Sequence, residues 1–62
     1  MLSERIKELR ESNQYTQVSL ANILGVTRSA VKTWEMGTSI PSKKHIIELS
    51  NIFNVPMDYL LK

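Results

Sequence analysis

Arg28, Ser29, Lys32 and Thr33 offer a guanidinium, an ammonium and two hydroxyls within six residues, at spacings that gather them on one side of a helix. Counting about 100° per residue from Arg28, the residues Lys32, Met36, Ser29 and Thr33 share an arc of about 140°, and Ala30, Trp34 and Val31 fall opposite. The polar arc carries hydrogen-bonding chemistry suited to the edges of nucleic-acid bases. An arginine presents a bidentate fork to O6 and N7 of guanine, serine and threonine bond either way, and the threonine methyl can meet a thymine methyl. Arg28 or Lys32 can equally neutralise a phosphate, because half or more of protein–DNA hydrogen bonds go to the backbone.

Such a helix must be held out from a body, and the preceding residues have the pattern to hold it. In QVSLANILGVTRSAVKTW, Gln17 to Trp34, two short amphipathic patterns flank one glycine at the spacing of a helix-turn-helix. Leu20, Ala21 and Leu24 line one side of the first helix, Gly25 supplies a left-handed turn, Val26 plugs the elbow, and Val31 and Trp34 face inward from the second. Ala21 sits where the two helices cross most closely, so a larger side chain there would force them apart.

The rest of the chain reads as three more helices. Leu2, Ile6 and Leu9 form an apolar stripe on a first helix ending near Ser12 or Asn13, with Lys7 and Glu11 spaced to pair on its surface. Thr16 and Thr27 are placed as N-caps of the two motif helices, the second running to about Met36 and closed by Gly37. Thr38 to Pro41 is a loop, and Ser42 caps a fourth helix whose buried stripe is Ile46, Leu49 and Phe53, with Ile52 alongside. Asn54 suits a left-handed C-cap. Pro56 suits the first turn of a short fifth helix, from which Leu60, Tyr59 and Met57 fold back on the core. No alternating strand pattern, repeat or low-complexity tract is present.

Composition sets the class. A chain of 62 residues is read as one domain, at a size where folding buries only about 60% of the unfolded surface. Without cysteine it has neither a disulfide framework nor a thiolate metal site, which suits a reducing cytoplasm. Hydrophobic residues make up 42%, scattered in twos and threes, so neither a membrane span nor a signal peptide is expected. The net charge of +2 is small but uneven: Arg28, Lys32, Lys43 and Lys44 face Glu35 alone in the second motif helix and the loop after it. That is where a helix-turn-helix meets phosphates.

Other chemistries are weaker. Trp34 lies on the apolar arc and is read as core rather than as a base-stacking platform. His45 has no second histidine or cysteine to complete a metal site and is read as a surface residue. Ser50, His45 and Asp58 supply the letters of a catalytic triad, but Ser50 and His45 point to different faces of one helix and no glycine-rich elbow accompanies them. No enzyme, cofactor, metal or small-molecule ligand is expected. The alternative to DNA reading is a protein-interaction module, or an antitoxin component, using exposed Met36, Ile40 and Tyr59.

The segments LRESNQYTQ (Leu9–Gln17), LANILGVTRSAVKTWEMG (Leu20–Gly37), IPS (Ile40–Ser42) and NVPMDYLL (Asn54–Leu61) together resemble the Cro/C1-type helix-turn-helix regulators, also called the XRE or phage-repressor-like family. The resemblance implies an all-α, five-helix bundle of the lambda-repressor-like type, with helices two and three forming the motif. It implies a cytoplasmic bacterial or phage transcriptional regulator, most simply a repressor, bound as a homodimer to a double-stranded DNA operator. It assigns base reading to Arg28, Ser29, Lys32 and Thr33, with Met36 at the margin, and phosphate binding to Gln17, Thr38, Ser39, Lys43 and Lys44. It assigns support of the motif to an Arg10–Glu35 pair beside Ala21, Gly25, Val31 and Trp34. Two positions depart from the family pattern: Met36 replaces a polar or basic residue, and Pro56 replaces a capping serine or threonine, which leaves the fifth helix and a dimer built on it less secured. Ending directly after the fifth helix, the sequence is readable as a whole regulator or as the N-terminal head of a longer one.

Overall fold

A computed structural model describes all 62 residues, and every element in it is helical: α1 (Leu2–Ser12), α2 (Gln17–Leu24), α3 (Arg28–Met36), α4 (Lys43–Phe53) and α5 (Met57–Leu61). α2 packs on α3, α1 lies across α3 and α5, and α4 pairs with α5. Ile6, Leu20, Val31, Leu49 and Leu60, one from each helix, are fully buried at the centre, ringed by Ala21, Leu24, Trp34, Ile46 and Phe53. No helix is long and apolar enough to cross a membrane.

The helix starts follow the sequence. The Thr16, Thr27 and Ser42 hydroxyls accept from the backbone N–H groups of Ser19, Ala30 and His45, satisfying donors that the first turn leaves open. At α2 the box is reciprocal, since Ser19 Oγ in turn accepts from the Thr16 N–H at 2.8 Å. Thr27 is the cap itself, so α3 begins at Arg28.

The helix ends share one device. After α1, α2, α3 and α4 stands a residue with positive φ, respectively Gln14 (63°), Gly25 (71°), Gly37 (78°) and Asn54 (55°). In each case the next residue donates its N–H back across the last turn: Tyr15 to Arg10, Val26 to Ala21, Thr38 to Thr33 and Val55 to Ser50, at 2.9–3.1 Å. Tyr15, Val26 and Val55 then pack against the core as the apolar plug of the motif. Thr38 is polar and exposed instead.

Four expectations change. Pro56 is the extended N-cap of α5 rather than part of its first turn, because its ψ of 153° is not helical, and no side chain caps that helix. The Lys7–Glu11 pair does not form; Glu11 instead lies 3.9 Å from Arg10. Tyr59 does not insert in the core but lies half-buried beneath Arg5, whose guanidinium carbon is 4.1 Å from the ring centre, tying α5 to α1. His45 is half-buried rather than a free surface residue, with its ring 5.6 Å from that of Trp34.

A Cβ built on Gly25 would meet nothing within 4 Å, so only its φ demands glycine. Gly25→Ala should therefore cost about 1–2 kcal/mol, and Gly25→Asn distinctly less, in denaturant unfolding followed by Trp34 fluorescence. Equal losses for both would show that some constraint other than backbone conformation acts there.

Candidate nucleic-acid interface

The surface of α3 divides as its sequence demands. Val31 and Trp34 are buried and Ala30 half-buried, while Arg28, Ser29, Lys32 and Met36 are exposed. Burying the apolar arc against α1 and α2 leaves no other direction for the polar one. Neither Arg28 nor Lys32 forms an ion pair or an internal hydrogen bond, so both cations stand free toward solvent. Lys43 and Lys44, the first two residues of α4, are likewise exposed and unpaired. No carboxylate forms an ion pair with any of these four cations.

Thr33 is different. It is half-buried, and its hydroxyl donates to the Ala30 carbonyl at 2.9 Å and lies 2.7 Å from Ser39 Oγ. Its carbonyl accepts from the Thr38 and Ser39 N–H groups at 3.1 and 3.4 Å and from the Thr38 hydroxyl at 3.3 Å. Residues 38 and 39, grouped with the lysines by the family resemblance, are in the structure engaged first with Thr33.

In the same last turn of α3, Glu35 joins three helices. Its carboxylate, with a side-chain exposure of 5%, takes Arg10 Nε at 2.6 Å and Arg10 Nη2 at 3.2 Å from α1, and Gln17 Nε2 at 3.1 Å from α2. Arg10 spends a further donor on the Tyr15 carbonyl at 2.8 Å. The hydrogen bond to Glu35, outweighing the opposing effect of burial, raises the Arg10 pKa above its ordinary value, so the guanidinium is charged wherever the protein folds. Gln17 is therefore not a free surface amide: one N–H is held by Glu35, and the second remains available at the start of α2.

Sequence reasoning misses three features of this region: the Thr33–Ser39 contact, the bond from Gln17 to Glu35, and the seat of His45 against Trp34, with Nδ1 3.1 Å from Ser42 Oγ. Each joins residues brought together by a chain reversal. Only the first had a local signal, a serine two residues beyond the glycine that ends α3.

A helix-turn-helix family model matches residues 6–60. The chain belongs to the Cro/C1-type helix-turn-helix family. That is a family of DNA-binding transcriptional regulators rather than of enzymes. The chain is 44% identical over its whole length to the uncharacterized HTH-type transcriptional regulator YqaE of Bacillus subtilis, of which it covers 53%. It is 31% identical over 62 residues to repressor protein C2 of Salmonella phage P22, covering 29% of that protein. It spans about half the length of YqaE and less of C2. Among solved structures it is similar to SinR, the master regulator for biofilm formation, in complex with DNA: TM-score 0.88, 28% identity, and full coverage of both chains. The five-helix architecture is thus that of a Cro/C1-type domain.

Removing one member of the Arg10–Glu35 pair leaves a largely desolvated charge. Glu35→Ala should cost about 3–5 kcal/mol in denaturant unfolding, and the apolar double replacement Arg10→Met with Glu35→Leu should recover most of that loss. A loss below about 1 kcal/mol for Glu35→Ala would place the pair with ordinary surface ion pairs.

Proposed function

We propose that residues 1–62 are the DNA-reading unit of a transcriptional regulator, recognising specific double-stranded sequence by laying α3 in the major groove. The observation that carries this reading is the exposed arc of Arg28, Ser29 and Lys32, unpaired and opposite buried Val31 and Trp34. A major groove about 12 Å wide accepts one helix, and these side chains carry the donors that its base edges accept. Thr33 lies beside them on the same arc, as does Met36, the last residue of the helix. Gln17, through its second amide N–H, and Lys43 and Lys44, which follow the Thr38–Ser39 loop, set the register of the helix on the phosphates. The likeness to SinR, solved in complex with DNA, supports the same partner here.

A single reading helix covers few base pairs, so the working form is a homodimer whose two α3 helices reach half-sites about 34 Å apart, one turn of the duplex. A dimer seated on a promoter occludes polymerase, and repression is the simplest output; the repressor name of the phage P22 relative agrees with it. The place of action is the cytoplasm, where the DNA is.

Base readers and phosphate binders differ in how their loss is felt. Arg28→Ala should cost about 1–3 kcal/mol on the preferred duplex and flatten preference at one base position, measured by competition among duplexes differing in one base pair. An unchanged preference would move Arg28 to the phosphate contacts. Lys43→Ala should weaken every duplex alike and lower the slope of log affinity against log salt by about one, and a loss confined to one sequence would overturn that role.

A further inference from the structure

The hydroxyl protons at the end of α3 can be assigned one by one. The Thr33 Oγ1 contact with the Ala30 carbonyl at 2.9 Å has only one group able to donate, so the single Thr33 proton is spent there. The 2.7 Å contact between Thr33 Oγ1 and Ser39 Oγ must then take its proton from Ser39. The Thr38 hydroxyl donates to the Thr33 carbonyl, which also receives the N–H groups of Thr38 and Ser39. Every donor of residues 38 and 39 is thereby turned inward onto Thr33.

From this accounting we infer that Thr33 is a positioning residue: its hydroxyl latches the 38–39 loop to the reading helix, and neither it nor the two loop hydroxyls donates to DNA. This rests on the major-groove reading of α3 and refines the roles of these three residues within it. The other helix ends in the chain show what the latch replaces. Tyr15, Val26 and Val55 seal their turns by apolar packing on the core, whereas Thr38, at the same place after α3, is exposed and has no such anchor. An apolar plug is unsuited to a surface that meets a phosphate backbone, and hydroxyl bonds to Thr33 hold the turn without one. The consequence reaches Lys43 and Lys44. The loop fixes where α4 starts relative to α3, so ordering it in the free protein removes an entropic cost that would otherwise fall on binding.

The test compares Thr33→Val, which keeps the shape and loses the hydroxyl, with Ser39→Ala and with the double variant. Each single change should weaken all duplexes alike, by about threefold to tenfold, with base preference unchanged. The double variant should be no weaker than either single one, since both break the same bond. In the free protein, hydrogen exchange at the Ser39 amide should accelerate in both single variants while Trp34 fluorescence reports an intact fold. A change of preference at one base position in Thr33→Val alone would make the hydroxyl a base reader and overturn the latch. Additive losses in the double variant, or unchanged affinity and exchange, would overturn it as well. If the unmodified chain bound no duplex, the DNA reading would fail, and the exchange measurement would still decide the latch separately.

Discussion

The Glu35 carboxylate is almost wholly withdrawn from water, and a charge in that position must be answered by protein donors or not form at all. It is answered from two directions, by the Arg10 guanidinium of α1 and the Gln17 amide of α2, while Glu35 itself belongs to α3. The pair therefore admits one relative placement of three helices. Apolar packing of Leu20, Ala21, Val31 and Trp34 supplies the driving force for their association, yet such packing tolerates small slides and rotations. A bidentate bond at 2.6 and 3.2 Å does not. For a chain whose proposed work is to present side chains at fixed spacing to a rigid lattice of base edges, that orientational constraint matters more than any net contribution of the pair to stability.

Local chemistry sets the remaining geometry. Starts of α2, α3 and α4 are fixed by hydroxyl caps, and ends of α1 to α4 by left-handed residues with a back-donated N–H. With so short a connection between α2 and α3, these two kinds of signal narrow the angle of the motif that the Glu35 contacts then fix. The glycine at position 25 and the cap at position 27 leave Val26 only one place to go, the core.

These features explain how much of the fold is legible in the residues. Caps, glycines and apolar periodicity are local, and the five helices follow from them, as do the two faces of α3. Gln14 is not legible as a left-handed residue because glutamine has no intrinsic preference for positive φ; the tertiary anchoring of Tyr15 imposes it. His45 reads as a surface residue for a related reason, since its burial depends on Trp34 reaching across from another helix. The Arg10–Glu35 pair, 25 residues apart in sequence, comes from family resemblance and not from spacing. At the proposed interface, the free cations Arg28, Lys32, Lys43 and Lys44 are visible as an uneven charge distribution. The commitment of the Thr33 hydroxyl to the Ala30 carbonyl, of the Thr38 hydroxyl to the Thr33 carbonyl and of the Ser39 hydroxyl to Thr33 Oγ1 is hidden, because residue type shows that a donor exists and only structure shows where its proton goes.

The proposed work of this rigid frame is to read DNA sequence in two symmetric copies. Selection from a random duplex library by the 62-residue chain, at low and near-physiological salt, decides whether it does. Enrichment of a motif with two-fold symmetry and half-sites about one helical turn apart is the predicted result. Binding that remains weak, salt-sensitive and indifferent to sequence would contradict it.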